Sequence, residues 1–295
     1  MKIIDMHLHT HSNGLKPEPK KLVSELNKAG IYGAGVFSVK PEKPPFENVE
    51  SIEKRTSDIL TWCEGYTDVL YPVLYIHPYE ENVIEEVKKA SERGIVAFKM
   101  ICNTYYVSEQ KSMDLLNAIA ELDKPVIFHS GILWDGLVSS EYNKPVNWEA
   151  LLDIPNLRFS MGHCSWPWID ECIALYGKFL NAYTRRSDIS SEMFFDITPG
   201  TPEIYRRELL TKLFTIGYDV EHNIMFGLDN KASEYNYNRA KDWLVLDKEI
   251  MDDLKVPYET REKLYCENFM RFIGKTKKEI SRILPTADST LKWKV

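Results

Sequence analysis

Apolar residues along this chain gather in short runs, and between the runs they recur every three or four positions. The runs are KIIDMHL (2–8), IYGAGVFS (31–38), VLYPVLYI (69–76), IVAFKMI (95–101), PVIFHS (125–130), LRFSMGH (157–163), EMFFDI (192–197) and NIMFGLD (223–229). Most lack strict polar–apolar alternation, which is how strands buried on both faces read. The stretches between them are amphipathic. In PYEENVIEEVKKASERG (78–94), Pro78 leads in, acidic residues load the front, Lys and Arg load the back, and Gly94 stops the helix. SEQKSMDLLNAIAELDKP (108–125) follows the same grammar.

Eight strands, each followed by a helix or long loop, predict an α/β fold, a (β/α)8 TIM barrel. An open doubly wound sheet would carry a Gly-rich phosphate turn after its first strand, and here that turn is HTHSNG. Residues 236–283 read as extra C-terminal helices and 284–295 as a surface tail. No repeat or linker divides the chain, so 1–295 reads as one domain.

Charge and composition then remove classes of function. A formal net charge of −7 argues against nucleic acid or an anionic membrane as partner. No apolar run approaches the roughly 18 residues of a membrane span, and the start lacks a signal-peptide pattern. The cysteines Cys63, Cys102, Cys164, Cys172 and Cys266 are odd in number and contain no C-x-x-C pair, which reads as a reduced, cytoplasmic protein. A small-molecule substrate is the partner left, with a homodimer open.

In such a barrel the active site lies at the C-terminal ends of the strands. His7 and His9 close strand one, His129 strand five, His163 strand six and Asp229 strand eight. Residues i and i+2 of a strand share a face about 6.5–7 Å apart, so His7 and His9 aim at one point. Strand eight closes on strand one and brings Asp229 beside them, while His129 reaches across from strand five. Imidazoles plus a carboxylate suit one divalent ion, zinc first, with manganese or iron as alternatives.

The ordered marks IDMHLH, KPVIFHSG, NLRFSMGHC and IMFGLDN, with ENFMRFIG (267–274) as a closing helix, resemble the amidohydrolase superfamily. The resemblance is to the amidohydrolase-related branch that includes aminocarboxymuconate-semialdehyde decarboxylase, and it runs from residue 3 to about 274. It implies that His7, His9, His129 and Asp229 hold one metal, with His163 near its water or the substrate. The family often has Gly-Gly after the strand-six His and Ser-Asp at strand eight, where this chain has Cys164-Ser165 and Leu228-Asp229. Some binuclear relatives bridge two metals with a carbamylated strand-four lysine, the place of Lys99. In the branch resembled here a single metal is usual, and Lys99 reads as a partner for a buried carboxylate or for the substrate's own anionic group.

The expected activity is hydrolysis by metal-activated water of a small carboxylated or cyclic substrate, with Asp229 as base and His163 orienting water or polarising a carbonyl. Non-oxidative decarboxylation of an unsaturated or aromatic acid is the alternative, and a non-catalytic metal-binding barrel a further one. Lys99, Tyr105, Trp134 and Trp166, in or after strands four to six, are the candidate substrate contacts. His11 reads as a loop residue, His77 as a packing or capping residue, His222 as structural at the far end, and Cys164 as inert.

Overall fold

The computed structural model describes residues 1–10, 18–41, 46, 50–200 and 202–276, so His11 and the tail lie outside the described residues. The eight expected strands are all present: β1 (Ile4–His9), β2 (Gly33–Phe37), β3 (Leu70–Tyr75), β4 (Ala97–Met100), β5 (Val126–Phe128), β6 (Arg158–Met161), β7 (Glu192–Asp196) and β8 (Ile224–Met225). They pair in parallel in sequence order, and a further strand, β9 (Asn230–Lys231), pairs with β1 through Leu8↔Asn230 and His9↔Lys231. The run after β8 also gives its Phe226 carbonyl to the Met6 N–H at 3.1 Å. One stretch of chain thus bridges β7 and β1, and the sheet closes into a barrel.

Strand eight is shorter than the 223–229 run predicts. Its backbone leaves regular pairing between Phe226 and Asp229, and Asp229 takes the left-handed conformation, φ +54°. A Cβ on Gly227 would lie 2.5 Å from Thr198 Oγ1 and 3.0 Å from His7 Cβ, so the chain passes too close to the site for any side chain there.

The helices α1 (Pro19–Ala29), α2 (Ile52–Cys63), α3 (Val83–Arg93), α4 (Gln110–Glu121), α5 (Ile169–Arg185), α6 (Arg206–Thr215) and α7 (Tyr237–Asp253) pack their apolar faces on the barrel's outer side. Gly94 ends α3 as expected, in the left-handed region at φ +114°. That helix starts at Val83, later than Pro78 suggests, because Glu80 instead accepts the His77 N–H at 2.8 Å and pairs with Arg55. Beyond α7, α8 (Tyr258–Glu262) and α9 (Asn268–Phe272) join through one wide turn. Asn268 bonds the Ile224 carbonyl at 2.8 Å, and Phe269 and Phe272 enter the inner cluster of Ile4, Met6, Phe37, Tyr71, Val73 and Phe194. All five cysteines are free, and no described helix is long and apolar enough to cross a membrane.

A candidate metal centre at the barrel mouth

In β1, Ile4 and Met6 belong to the inner cluster and Leu8 to the outer one. Strict alternation from Met6 would turn His7 and His9 outward. The β1–β2 register slips between Asp5 and Leu8, and this bulge turns both imidazoles into the barrel. Asp5 holds the bulge: its buried carboxylate accepts N–H bonds from His7 at 3.2 Å and Leu228 at 2.9 Å. Burial pushes that carboxyl up to about 7 despite these bonds.

The ligand atoms of His7, His9 and Asp229 lie within 4.8 Å of one another. His9 Nε2 is 2.9 Å from Asp229 Oδ1, and His7 Nε2 is 3.8 Å from the same oxygen. Burial opposes ionisation of Asp229, but the hydrogen bond with His9 holds its carboxyl well below the usual range.

Asp196, which closes β7, lies 2.6 Å from His7 Nδ1 and also accepts the Thr198 N–H at 2.8 Å and the Thr198 hydroxyl. Burial alone would raise its carboxyl; the His7 contact outweighs this and brings it down to about 2. His7 is pushed down to about 3 by burial and the Lys99 charge. The pair is therefore an ionised carboxylate and a neutral imidazole at neutral pH. Nδ1–H donates to Asp196, and Nε2 keeps its lone pair. That nitrogen is buried and has no hydrogen-bond partner among the described residues. An orphaned imidazole nitrogen, a second imidazole and an ionised carboxylate fit a divalent ion, and a carboxylate behind the histidine is the usual way to orient such a ligand.

His163 stands beside this cluster, its ring centroid 5.2 Å from that of His7. Its Nδ1–H donates to the Thr198 carbonyl at 3.2 Å, which leaves Nε2 as an acceptor, and burial keeps the ring neutral. His163, Cys164 and Ser165 all have left-handed backbone, φ +57°, +43° and +59°. Such geometry costs non-glycine residues about 1–2 kcal/mol each. Gly200 supplies the room: a Cβ there would lie 2.5 Å from His163 Cγ.

His129 is outside the three-residue cluster. Its ring is 5.1 Å from that of His163, and its Nε2–H donates to the Ile132 carbonyl at 3.1 Å, leaving Nδ1 bare. Lys99 lies on β4 opposite Tyr75 of β3, buried, its ammonium 5.2 Å from the Phe37 ring centroid. Burial, opposed by Asp196 and Asp229, brings it down to about 8. Trp134 is 78% exposed and stacks on Trp166 at 6.3 Å, with Tyr205 5.7 Å from Trp166, forming an aromatic rim.

Tyr105 is buried against His77, ring centroids 4.8 Å apart, on the loops after β3 and β4. Cys164 is buried with its thiol toward the Asp196 carbonyl, and burial pushes that thiol well above its ordinary range, so it stays protonated. His222 lies before β8 beside Glu221, whose carboxylate also takes Lys263 at 2.7 Å. The sequence reading passed over Asp196, Tyr75 and Phe37. Asp196 closes its strand just as His129 and Asp229 do theirs, so the same strand-end test finds it. Tyr75, whose hydroxyl is 3.2 Å from His9 Nδ1, gives no such signal.

The model of the amidohydrolase family matches residues 4–275, and the chain belongs to that family. No curated protein matches its sequence. Among solved structures it is similar to 5-carboxyvanillate decarboxylase from Novosphingobium aromaticivorans with bound manganese, at 12% identity over 92% of this chain and 97% of that one, TM-score 0.65. A dihydroxybenzoic acid decarboxylase from Polaromonas, also with manganese, matches at 12% identity over 94% and 98%, TM-score 0.63. A probable 2-pyrone-4,6-dicarboxylic acid hydrolase from Acinetobacter baumannii matches at 13% identity over 93% and 100%, TM-score 0.61. At these identities the likeness is one of fold.

Proposed function

We propose that this chain is a metal-dependent hydrolase acting on a small carboxylated or cyclic substrate. The convergence of His7, His9 and Asp229 within 4.8 Å, with the His7 nitrogen left orphaned, carries that reading. These three residues hold the ion, with His129 Nδ1 as a fourth donor from across the mouth. A divalent ion bound there supplies Lewis-acid polarisation and lowers the pKa of water toward about 7. Asp229 accepts the proton of the nucleophilic water on a carboxylate oxygen. His163 takes a hydrogen bond from that water at Nε2. Its tautomer makes it an acceptor, so it orients water and does not polarise a carbonyl. Asp196 keeps the His7 ring fixed throughout.

Decarboxylation is the second reading, supported by the two decarboxylases among the similar structures. Hydrolysis ranks first because it draws on the proton acceptors Asp229 and His163 to deliver the water, and the proton that Asp229 takes from water passes on to the leaving group. Zinc heads the metals, with manganese and iron behind it. The free cysteines support the cytoplasmic placement read from the sequence.

The test is elemental analysis of the purified protein followed by a screen of lactones, amides and carboxylated unsaturated acids, with carbon dioxide release recorded alongside. About one equivalent of divalent ion is expected, with turnover lost on chelation and restored by zinc or manganese. Protein that neither carries nor takes up a metal refutes the reading. Turnover with release of carbon dioxide moves it to the second.

A further inference from the structure

Lys99, Arg55 and Arg206 are the fully buried cationic side chains among the described residues. The two arginines are satisfied. Arg206 forms a two-point pair with Asp247 at 2.6 and 2.7 Å and donates to the Ile197 carbonyl. Arg55 donates to the Tyr75 carbonyl at 2.7 Å and the Glu50 carbonyl at 3.1 Å and pairs with Glu80. The Lys99 ammonium has no hydrogen-bond partner at all among the described residues. A fold does not keep a buried, unpartnered charge for its own stability.

Its position says what is missing. The Phe37 ring lies 5.2 Å from the Lys99 nitrogen and 4.7 and 5.1 Å from the rings of His7 and His9, so one aromatic ring borders both the ammonium and the candidate metal ligands. The acids whose charge reaches Lys99 are Asp196 and Asp229, and both are engaged elsewhere, by His7 with Thr198 and by His9 respectively. Lys40, on the loop after β2, adds a second positive charge within range. With a divalent ion in place, that ion and Lys99 together outweigh the charge of Asp196 and Asp229 among the described residues, and an anion brought by the ligand redresses the balance.

We propose that Lys99 anchors a carboxylate of the substrate across the mouth from His7, His9 and Asp229, so that the substrate is a small acid whose anchoring carboxylate is separate from the bond that reacts. This rests on the metal-hydrolase reading for the reacting bond, and on Lys99 alone for the anchor. The ammonium donates to the carboxylate in a dry site, where a charged hydrogen bond has most effect. A ligand lacking that anion leaves the ammonium unpaired.

The test uses the full-length protein loaded with manganese, and the probes benzene-1,3-dicarboxylate and its monomethyl ester. Wild type should bind the diacid at least about tenfold more tightly than the ester. In Lys99→Met the ratio should fall to about twofold or less, and Lys99→Arg should keep most of it. Ligand-free Lys99→Met should also melt about 2–4 °C higher than wild type, since an uncompensated buried charge is gone. Equal binding of the two probes by wild type, an unchanged ratio in Lys99→Met, or a lower melting temperature for that variant overturns the assignment. So does a lysine carbamate signal in protein equilibrated with 13C-bicarbonate, which makes Lys99 an anion. Repeating the titration on metal-stripped protein separates the two readings. A Lys99-dependent ratio that survives in protein unable to bind metal keeps the anchor and removes the hydrolase.

Discussion

Two sides of the barrel mouth handle their buried polar groups in opposite ways. On the β1, β7 and β8 side, each group is tied to the next, and the orphaned His7 Nε2 faces the candidate ion site. Asp5 sets the bulge, Asp196 takes His7 Nδ1, His9 meets Asp229, and His163 is fixed by the Thr198 carbonyl. On the β3–β4 side, the Lys99 ammonium and the Nε2 of His77 are buried without hydrogen-bond partners among the described residues. The first side is preorganised, with tautomers chosen and ligand atoms held at fixed spacing, as a reacting centre needs. The second side is incomplete, as a surface that waits for a ligand is. A protein optimised only for stability would have paired both.

The sharpest way to break this contrast is at Asp229. Asp229→Asn keeps the shape and an oxygen donor but removes the negative charge and the proton acceptor. Turnover is expected to fall by about 10²–10⁴-fold, with the far-ultraviolet dichroism spectrum unchanged, because the side chain sits above the packed layers of the barrel. Full activity in Asp229→Asn would remove the base from the ordered side.

A smaller effect is expected one step behind the ligands. Asp196→Asn still offers an oxygen to the His7 Nδ1–H but no longer a full charge, so the ring is held less firmly and its Nε2 is a weaker donor. Metal affinity should drop about 10–100-fold in a competition titration with a chelator. Unchanged affinity would mean that the Asp196–His7 contact at 2.6 Å only packs the mouth.

Much of this was legible beforehand, and the reasons differ from element to element. The strands announce themselves because a strand buried on both faces has no use for polar residues except at its ends, which is also why His7, His9, His163 and Asp229 stand out. The bulge in β1 was not legible. It depends on Asp5 reaching Leu228, more than two hundred residues away, and nothing in IDMHLH marks it. The early end of β8 was hidden for the same reason, since the close approach at Gly227 is set by Thr198 and His7. Helix starts were less legible than helix stops: Gly94 acts through its own backbone, whereas Pro78 is overruled by the side chain of Glu80. Tyr105 was placed by its residue type and its loop after strand four, and its partner is His77 of the neighbouring loop.

The finest probe of the incomplete side is His77. Its ring is buried against Tyr105 and Phe46, its Nδ1 accepts the Tyr79 N–H at 3.2 Å, and burial together with the Lys40 charge lowers it from 6.5 to about 4. The sign follows from proton binding. Between pH 6.5 and 4 the unfolded chain holds a proton on this ring and the folded chain does not, so folding is progressively disfavoured as the pH falls through that window. Above it the residue has no pH-dependent effect. The loss is about 1.4 kcal/mol for each pH unit. His77→Asn places an amide oxygen near the position of Nδ1 and keeps the Tyr79 bond, but cannot titrate. The variant should be less stable at pH 7 by about 1–2 kcal/mol, from lost ring packing. Its stability should then fall less steeply than that of wild type as the pH is lowered. Urea unfolding at pH 7, 5.5 and 4.5 reads both. The other buried histidines contribute equally to the two proteins, so the difference in slope belongs to His77. Parallel curves would show that His77 is protonated in the folded state, and that the β3–β4 side of the mouth is wetter than its buried groups imply.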